Sequence, residues 1–199
     1  MATVTDIIHV PQPMPLDQVA YRFDPSLFLS RHDENWLAQI LPYAQRVLSI
    51  LGAKQGTLLD VGCGGAGLDM CMAVTSDLHF MCTDINDDNV AYASESAKDC
   101  GLQDRVSTQQ ADAQALPFEG NTFDYVMSTQ SICGWHNPQK GLEECYRVLK
   151  PGGRIFVRGF GDRFRNFWDI LCDTGVKDFE MVHANDMSWF TIDKPAERS

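Results

Sequence analysis

The ten residues from Leu58 to Gly67 limit the fold of this chain more than any other stretch. They read LLDVGCGGAG, a short apolar run that ends in an acid and continues at once through glycines. Glycine adopts positive φ without steric cost and lets another group approach the backbone closely. A strand that passes directly into a helix through such a turn is typical of the carboxyl edge of an open α/β sheet, where these folds bind ligands. The stretch therefore predicts a ligand-binding turn.

The rest of the chain alternates short apolar runs with amphipathic segments of helical length. Such alternation favours a single Rossmann-like, doubly wound α/β sheet, here seven-stranded and mostly parallel. About three residues separate the last two strands, too few for a crossover, so the C-terminal strand is predicted to be antiparallel. Strands are predicted at 57–61, 79–84, 105–112, 122–128, 153–160, 179–184 and 188–194, and helices at 33–51, bent or interrupted near Pro42, and at 142–149.

The length indicates one domain with one core, because 199 residues bury enough apolar surface without disulfides. We divide the chain into an N-terminal extension and helix over 1–52 and a core over 53–199. The extension contains the aromatic residues Tyr21 and Phe23, which we expect to cover the pocket as a lid.

The charge balance disfavours nucleic acid and membrane surfaces as partners. Lys and Arg number 16 against 27 Asp and Glu, a net charge of −11 that repels phosphate backbones and anionic lipids. Seven cysteines lie at irregular spacings without a C-x-x-C pair, so neither a disulfide framework nor a metal site is predicted. Since no leader and no run of about 18 apolar residues is present, we expect a cytoplasmic protein.

Asp60 limits the kind of ligand that the glycine turn can hold. It stands two residues before Gly62, the first glycine of the turn. A carboxylate at this place would repel a pyrophosphate but would attract a ligand with a cationic group. Gly62, Gly64 and Gly67 also form the dinucleotide pattern G-x-G-x-x-G, which is weak on its own.

These residues resemble motif I of the class I S-adenosylmethionine-dependent methyltransferases, in particular the small-molecule members of the ubiquinone and menaquinone biosynthesis type. The sequence departs from the family at Ala66, where a third alternating glycine is usual. Further stretches agree in order and spacing: CTDIN, QQADAQALPF, FDYVMSTQSI and LEECYRVLKPGGRIFV. The resemblance covers about residues 55–192.

The resemblance implies S-adenosylmethionine as cofactor, S-adenosylhomocysteine as product and a small-molecule methyl acceptor as partner. In the family, the acid matching Asp84 accepts from both ribose hydroxyls, and the acid matching Asp112 accepts from the adenine amino group. The implied cofactor-binding residues are Asp60, Gly62, Cys63, Gly64, Asp84, Ile85, Asp112, Ala113 and Ser128.

The segment after the fourth predicted strand holds the candidates for the acceptor side. Histidine is a common general base in enzymes, and His136 is the candidate for that role here, although a surface histidine that caps the next helix is an equal alternative. Cys133, Trp135 and Arg163 complete the predicted substrate pocket together with Tyr21 and Phe23.

Two other functions remain open at this point. A nicotinamide-dependent oxidoreductase would use the G-x-G-x-x-G pattern and the acid 17 residues after Gly67. A non-catalytic S-adenosylmethionine-binding protein would account for the unusual loop ICGWH. The sequence does not indicate an oligomeric state.

Overall fold

The chain folds around one sheet, as the sequence predicts. The computed structural model describes residues 3–6, 16–18, 27–28, 32–159, 179–184 and 187–196. Tyr21, Phe23 and Arg163, which are predicted to line the substrate pocket, lie outside the described residues. The strands are β1 (Thr3–Asp6), β2 (Gln55–Val61), β3 (Asp77–Asp84), β4 (Val106–Gln110), β5 (Phe123–Thr129), β6 (Leu149–Gly159), β7 (Phe179–Ala184) and β8 (Met187–Asp193).

The strand order across the sheet is β1-β7-β8-β6-β5-β2-β3-β4. Strand β2 pairs in parallel with β3 on one side and with β5 on the other, so the chain moves outward from β2 in opposite directions. This reversal is where doubly wound sheets form a crevice for a ligand. Strand β8 is antiparallel to both β6 and β7, which confirms the predicted antiparallel C-terminal strand.

Helices cover both faces of the sheet. The described helices are α1 (Glu34–Leu51), α2 (Gly67–Thr75), α3 (Asp87–Asp99) and α4 (Pro138–Val148). Helices α1, α2 and α3 contribute to one buried apolar cluster, and α4 contributes to a second cluster on the opposite face. The doubly wound α/β prediction is therefore confirmed.

Side-chain caps fix the first turns of several of these helices, among them α1 and α4. The Asp33 side chain accepts a hydrogen bond from the Trp36 amide at the start of α1, and the Asn137 side chain accepts one from the Lys140 amide at the start of α4. Pro138 occupies the first helical position of α4, where the missing amide proton has no cost. Both helices therefore begin where local side chains satisfy the free amides.

The structure differs from the prediction in three details. The seven predicted strands are present, and β1 adds an eighth, parallel to β7 at the edge of the sheet. Helix α1 continues through Pro42, so the predicted interruption is wrong, while the predicted bend stays a prediction. Strand β6 begins at Leu149 rather than at Gly153, because Leu149 pairs with Phe123 before the register shifts and Tyr125 pairs with Arg154.

None of the helices in the described ranges combines the length and the apolar character that crossing a bilayer requires.

Candidate functional site

A cavity of about 250 Å³ opens at the carboxyl ends of the central strands, beside the reversal at β2. Residues that follow β2, β3, β4 and β5 contribute to its walls. Of the residues predicted to bind the cofactor, Gly62, Asp84, Ile85, Asp112 and Ala113 line this cavity. The cavity therefore brings together side chains from three of the stretches that carry the family resemblance.

The glycine turn at the cavity is held to the end of β3 by backbone hydrogen bonds. The backbone amides of Gly62 and Cys63 both donate to the Thr83 carbonyl, at 2.7 and 2.9 Å. Gly62 and Gly64 have φ of 82° and 54°, values that favour glycine. Ala66, where the family usually has glycine, has φ of 54° and is also left-handed. The turn therefore has a left-handed residue at an alanine, where this backbone conformation costs more than it does at glycine.

Asp84 ends β3 at the cavity wall, and the backbone fixes its carboxylate from two sides. Oδ2 accepts from the Gly64 amide at 2.9 Å, and Oδ1 accepts from the Asn86 amide at 2.9 Å. The next residue, Ile85, is 67% exposed although it is large and apolar. An exposed apolar side chain beside a fixed carboxylate is suited to a ligand with both a flat apolar part and hydroxyl groups.

Asp112 also lines the cavity, just after the strand next to β3, and Gln114 contacts its carboxylate. Oδ1 accepts from the Gln114 amide at 2.9 Å and from Gln114 Nε2 at 3.1 Å. These hydrogen bonds lower the pKa of Asp112, with smaller contributions from the charges of Lys140 and His136. Asp112 is therefore a charged acceptor at the cavity wall.

Asp60 differs from both of these acids because it is buried below the turn. Its side chain is 1% exposed, and it is not among the residues that line the cavity. Burial raises its pKa well above the ordinary value, and the neighbouring charges of Asp69, Cys63 and Asp84 raise it further. The predicted direct contact between Asp60 and a ligand therefore stays a prediction.

Asp69, in the first turn of α2, is the closest acidic neighbour of Asp60. Burial raises the pKa of Asp69 to about 6, although its polar neighbours Asp60 and Cys82 oppose this rise. Within the described residues, Oδ1 of Asp60 and both carboxylate oxygens of Asp69 have no hydrogen-bond partner. Burial and the neighbouring carboxyl therefore both disfavour the charged form of Asp60.

The loop after β5 forms the outer wall of the cavity. A short 3-10 turn over Ile132–Gly134 reverses the chain. Trp135 and His136 then line the cavity. Trp135 Nε1 donates to Ser131 Oγ at 2.8 Å, which connects the two ends of the loop. His136 is exposed, so an acceptor molecule can reach its imidazole.

Several predicted site residues are not among those that line the cavity. Cys63 is half-buried against the apolar cluster that contains α1, and Cys133 is half-buried against the cluster that contains α4. The Gly64 amide is bonded to Asp84. Ser128 is fully buried on β5, and its hydroxyl has no partner among the described residues.

Sequence reasoning missed Gln114 and Ser131 in the lining and Asp69 beneath it. Gln114 could have been found, because a residue two positions after an Asp often bonds its carboxylate in an Asx-turn. Ser131 and Asp69 carry no comparable local signal. Their positions depend on how the loop after β5 and helix α2 pack against the turn.

Comparisons with known proteins identify the family of this chain. Residues 59–157 match the methyltransferase domain family. The chain therefore belongs to the class I S-adenosylmethionine-dependent methyltransferases. A ubiquinone/menaquinone biosynthesis C-methyltransferase from Klebsiella pneumoniae is 36% identical over 112 residues, which cover 55% of this chain and 45% of the relative. The chain thus spans about half the length of the curated relatives that it matches.

Solved structures share the fold over most of the chain. A Methanococcus maripaludis protein assigned to the S-adenosyl-L-methionine-dependent methyltransferases has a TM-score of 0.76 at 22% identity and covers 87% of this chain and 92% of its own. The [4+2]-cyclase SpnF has a TM-score of 0.70 at 21% identity, with 96% of this chain and 89% of its own covered. At these identities the likeness shows the fold alone.

Proposed function

We propose that this chain binds S-adenosylmethionine and transfers its methyl group to a small-molecule acceptor. The observation that carries the proposal is the Asp84 carboxylate, which the Gly64 and Asn86 amides hold at the cavity wall. A carboxylate offers about four lone-pair sites, so two remain after these hydrogen bonds. Both are available to the two vicinal hydroxyls of a ribose.

The cavity residues that follow β3 and β4 fit the adenine ring of the same ligand. Ile85 and Ala113 supply apolar surface for a flat ring, and Asp112 supplies a charged acceptor for an amino group at its edge. The distance in sequence between Asp84 and Asp112 shows that the fold, rather than one motif, creates this combination. A nucleoside with one amino group therefore offers hydrogen-bond donors to both Asp84 and Asp112.

The glycine turn suits S-adenosylmethionine better than a dinucleotide. A pyrophosphate at such a turn needs free backbone amides. Here the amides of Gly62 and Cys63 donate to Thr83, that of Gly64 donates to Asp84, and that of Ala66 donates to Cys63. The nearby acids would also repel a pyrophosphate. This arrangement favours the cationic ligand over NAD.

The protein contributes to the reaction mainly by orienting the cofactor and the acceptor. S-adenosylmethionine supplies a methyl group that its positively charged sulfur already activates. The cavity walls hold the nucleoside, and the loop with Trp135 and His136 limits the access of water. Where the acceptor loses a proton, the exposed His136 imidazole takes it at a ring nitrogen.

The acceptor is proposed to be a small molecule. A net charge of −11 opposes binding to a nucleic acid. The relatives are named as C-methyltransferases of ubiquinone and menaquinone biosynthesis. Quinone precursors are therefore the first compounds for an acceptor screen.

Calorimetric titration with S-adenosylmethionine, S-adenosylhomocysteine and NADH tests the proposed cofactor. We expect the first two ligands to bind and NADH not to bind. Binding of NADH alone would replace the proposal with a nicotinamide-dependent oxidoreductase.

The proposed role of His136 is tested by His136→Ala, with His79→Ala as the control. Both histidines are exposed, but His79 lies on β3 away from the cavity lining. Loss of a general base lowers turnover by about 100-fold or more at saturating cofactor, while cofactor affinity stays within about twofold. Equal turnover in His136→Ala and wild type would remove the histidine from the reaction.

A second candidate function is cofactor binding without methyl transfer. The [4+2]-cyclase SpnF shares this fold, so the fold alone does not determine the reaction. Formation of S-adenosylhomocysteine from S-adenosylmethionine and an acceptor separates the two functions. Tight cofactor binding without this product across the acceptor screen would favour the second.

A further inference from the structure

Ser131 lies beside the glycine turn, in a space that the turn leaves open. A Cβ atom added to Gly62 would overlap the Ser131 hydroxyl, so the missing side chain of Gly62 is what admits Ser131. Ser131 also lines the cavity. Its hydroxyl is therefore held between the cofactor turn and the space that a ligand would occupy.

The hydrogen bond from Trp135 determines what the Ser131 hydroxyl can do. Trp135 Nε1 is only a donor, and it donates to Ser131 Oγ at 2.8 Å. The hydroxyl accepts this bond and keeps its own proton to donate. No other described residue accepts that proton within hydrogen-bonding distance. The hydroxyl is therefore a donor without an acceptor, at the wall of a cavity.

Gly141 leaves open the space that the ring of Trp135 occupies when it makes this hydrogen bond. A Cβ atom added to Gly141 would overlap Cε3 and Cζ3 of the Trp135 ring. Glycine inside a helix is unfavourable, and Gly141 lies inside α4. The close contact with Trp135 explains why a glycine occupies this position in the helix.

We propose that Ser131 is a cofactor-binding residue that donates a hydrogen bond to an oxygen of the bound cofactor, and that Trp135 is the positioning residue that directs this donor. The inference rests on the proposed function for the identity of the ligand. Neither lysine nor arginine is among the residues that line the cavity in the described part of the chain. A ligand oxygen at this wall therefore needs a neutral donor, and the Gly62 and Cys63 amides already bond to Thr83.

The experiment titrates wild type, Ser131→Ala, Trp135→Phe and the double variant with S-adenosylhomocysteine and with 5′-methylthioadenosine, which lacks the amino-acid end. Ser131→Ala is expected to weaken binding about three- to tenfold. Trp135→Phe keeps an aromatic ring but removes the Nε1 donor, and it is expected to weaken binding by a smaller factor. Thermal unfolding of each variant confirms that it is folded.

The double variant separates positioning from simple packing. If Trp135 acts through Ser131, Trp135→Phe has no further effect on affinity in the Ser131→Ala background. If Trp135→Phe weakens binding in the Ser131→Ala background as much as it does in wild type, the positioning role of Trp135 is overturned. A merely structural Trp135 would weaken binding equally in both backgrounds.

Gly141→Ala provides an independent variant outside the cavity, with Gln139→Ala on the exposed part of the same helix as its control. Alanine favours the helix, but at residue 141 it displaces Trp135. We expect Gly141→Ala to weaken S-adenosylhomocysteine binding at least threefold and Gln139→Ala to leave it unchanged. Unchanged binding in a folded Gly141→Ala protein would contradict the fixed Trp135 ring.

The two ligands identify the oxygen that Ser131 contacts. If Ser131→Ala loses affinity for both ligands, the acceptor is an oxygen of the nucleoside. If it loses affinity for S-adenosylhomocysteine alone, the acceptor is the carboxylate of the amino-acid end. Affinities of Ser131→Ala within twofold of wild type for both ligands would overturn the inference while the proposed function stands. If wild type binds no S-adenosyl ligand, the proposed function fails first, and the inference fails with it.

Discussion

Asp84 and Asp60 are acids at the ends of neighbouring parallel strands, yet the structure gives them opposite environments. Asp84 accepts two backbone hydrogen bonds at the cavity wall. Asp60 is buried beside Asp69, and its Oδ1 has no partner among the described residues. The same residue type is therefore a fixed acceptor at one strand end and a desolvated group with a raised pKa at the other.

The register of the two strands explains this difference. Asp60 pairs with Cys82, so Asp84 lies two residues closer to the carboxyl edge of the sheet. Two residues of a strand correspond to roughly 6.6 Å. This distance places Asp84 at the cavity and leaves Asp60 beneath the turn and α2. Depth below the edge, rather than residue type, thus decides which acid a ligand can reach.

The largest expected effect comes from Asp84→Asn, which tests the accessible member of the comparison. Asparagine offers one neutral oxygen where Asp84 offers two charged ones, and the Gly64 and Asn86 amides compete for it. Cofactor affinity is expected to fall about 10- to 150-fold, measured by calorimetry with S-adenosylhomocysteine.

Asp87→Asn is the matched control, because Asp87 is an exposed acid three residues further along the chain. It is expected to bind S-adenosylhomocysteine as wild type does. Unchanged affinity in a folded Asp84→Asn protein would place the ribose elsewhere and would remove the contrast with Asp60.

The sequence predicts the fold better than it predicts the depth of side chains. The alternation of strands and helices and the glycine turn follow from local patterns, and the structure confirms the doubly wound fold. The register between β2 and β3 depends on packing, so the burial of Asp60 could not be foreseen. The bond between Trp135 and Ser131 likewise needs the 3-10 turn over Ile132–Gly134.

The second prediction, Asp69→Asn, tests the buried member of the comparison. The pKa of Asp69 is raised to about 6, so between about pH 4 and 6 the folded state keeps a proton that the unfolded state has lost. The contribution of this proton to the free energy of unfolding is therefore fully present below about pH 4 and is lost as the pH rises through 6. Asparagine mimics the protonated acid, so it is expected to increase the free energy of unfolding at pH 7 by about 2 kcal/mol.

Urea unfolding at pH 4 and at pH 7 measures this effect, with Glu95→Gln on the exposed side of α3 as the control for lost charge. The gain from Asp69→Asn is expected at pH 7 and is expected to be small at pH 4. Equal gains at both pH values would show that Asp69 is already ionised in the folded state, like Asp84 at the cavity.

The smallest expected effect comes from Asp112→Asn, which tests whether a more solvated acid contributes less than Asp84. Gln114 already donates twice to Asp112 Oδ1, and the asparagine oxygen can accept the same bonds. Affinity for S-adenosylhomocysteine is expected to fall about two- to fivefold. S-inosylhomocysteine has an oxygen in place of the adenine amino group, so Asp112→Asn should discriminate less than wild type between the two ligands. A loss larger than that of Asp84→Asn would reverse the ranking, because the adenine contact would then contribute more than the ribose contact.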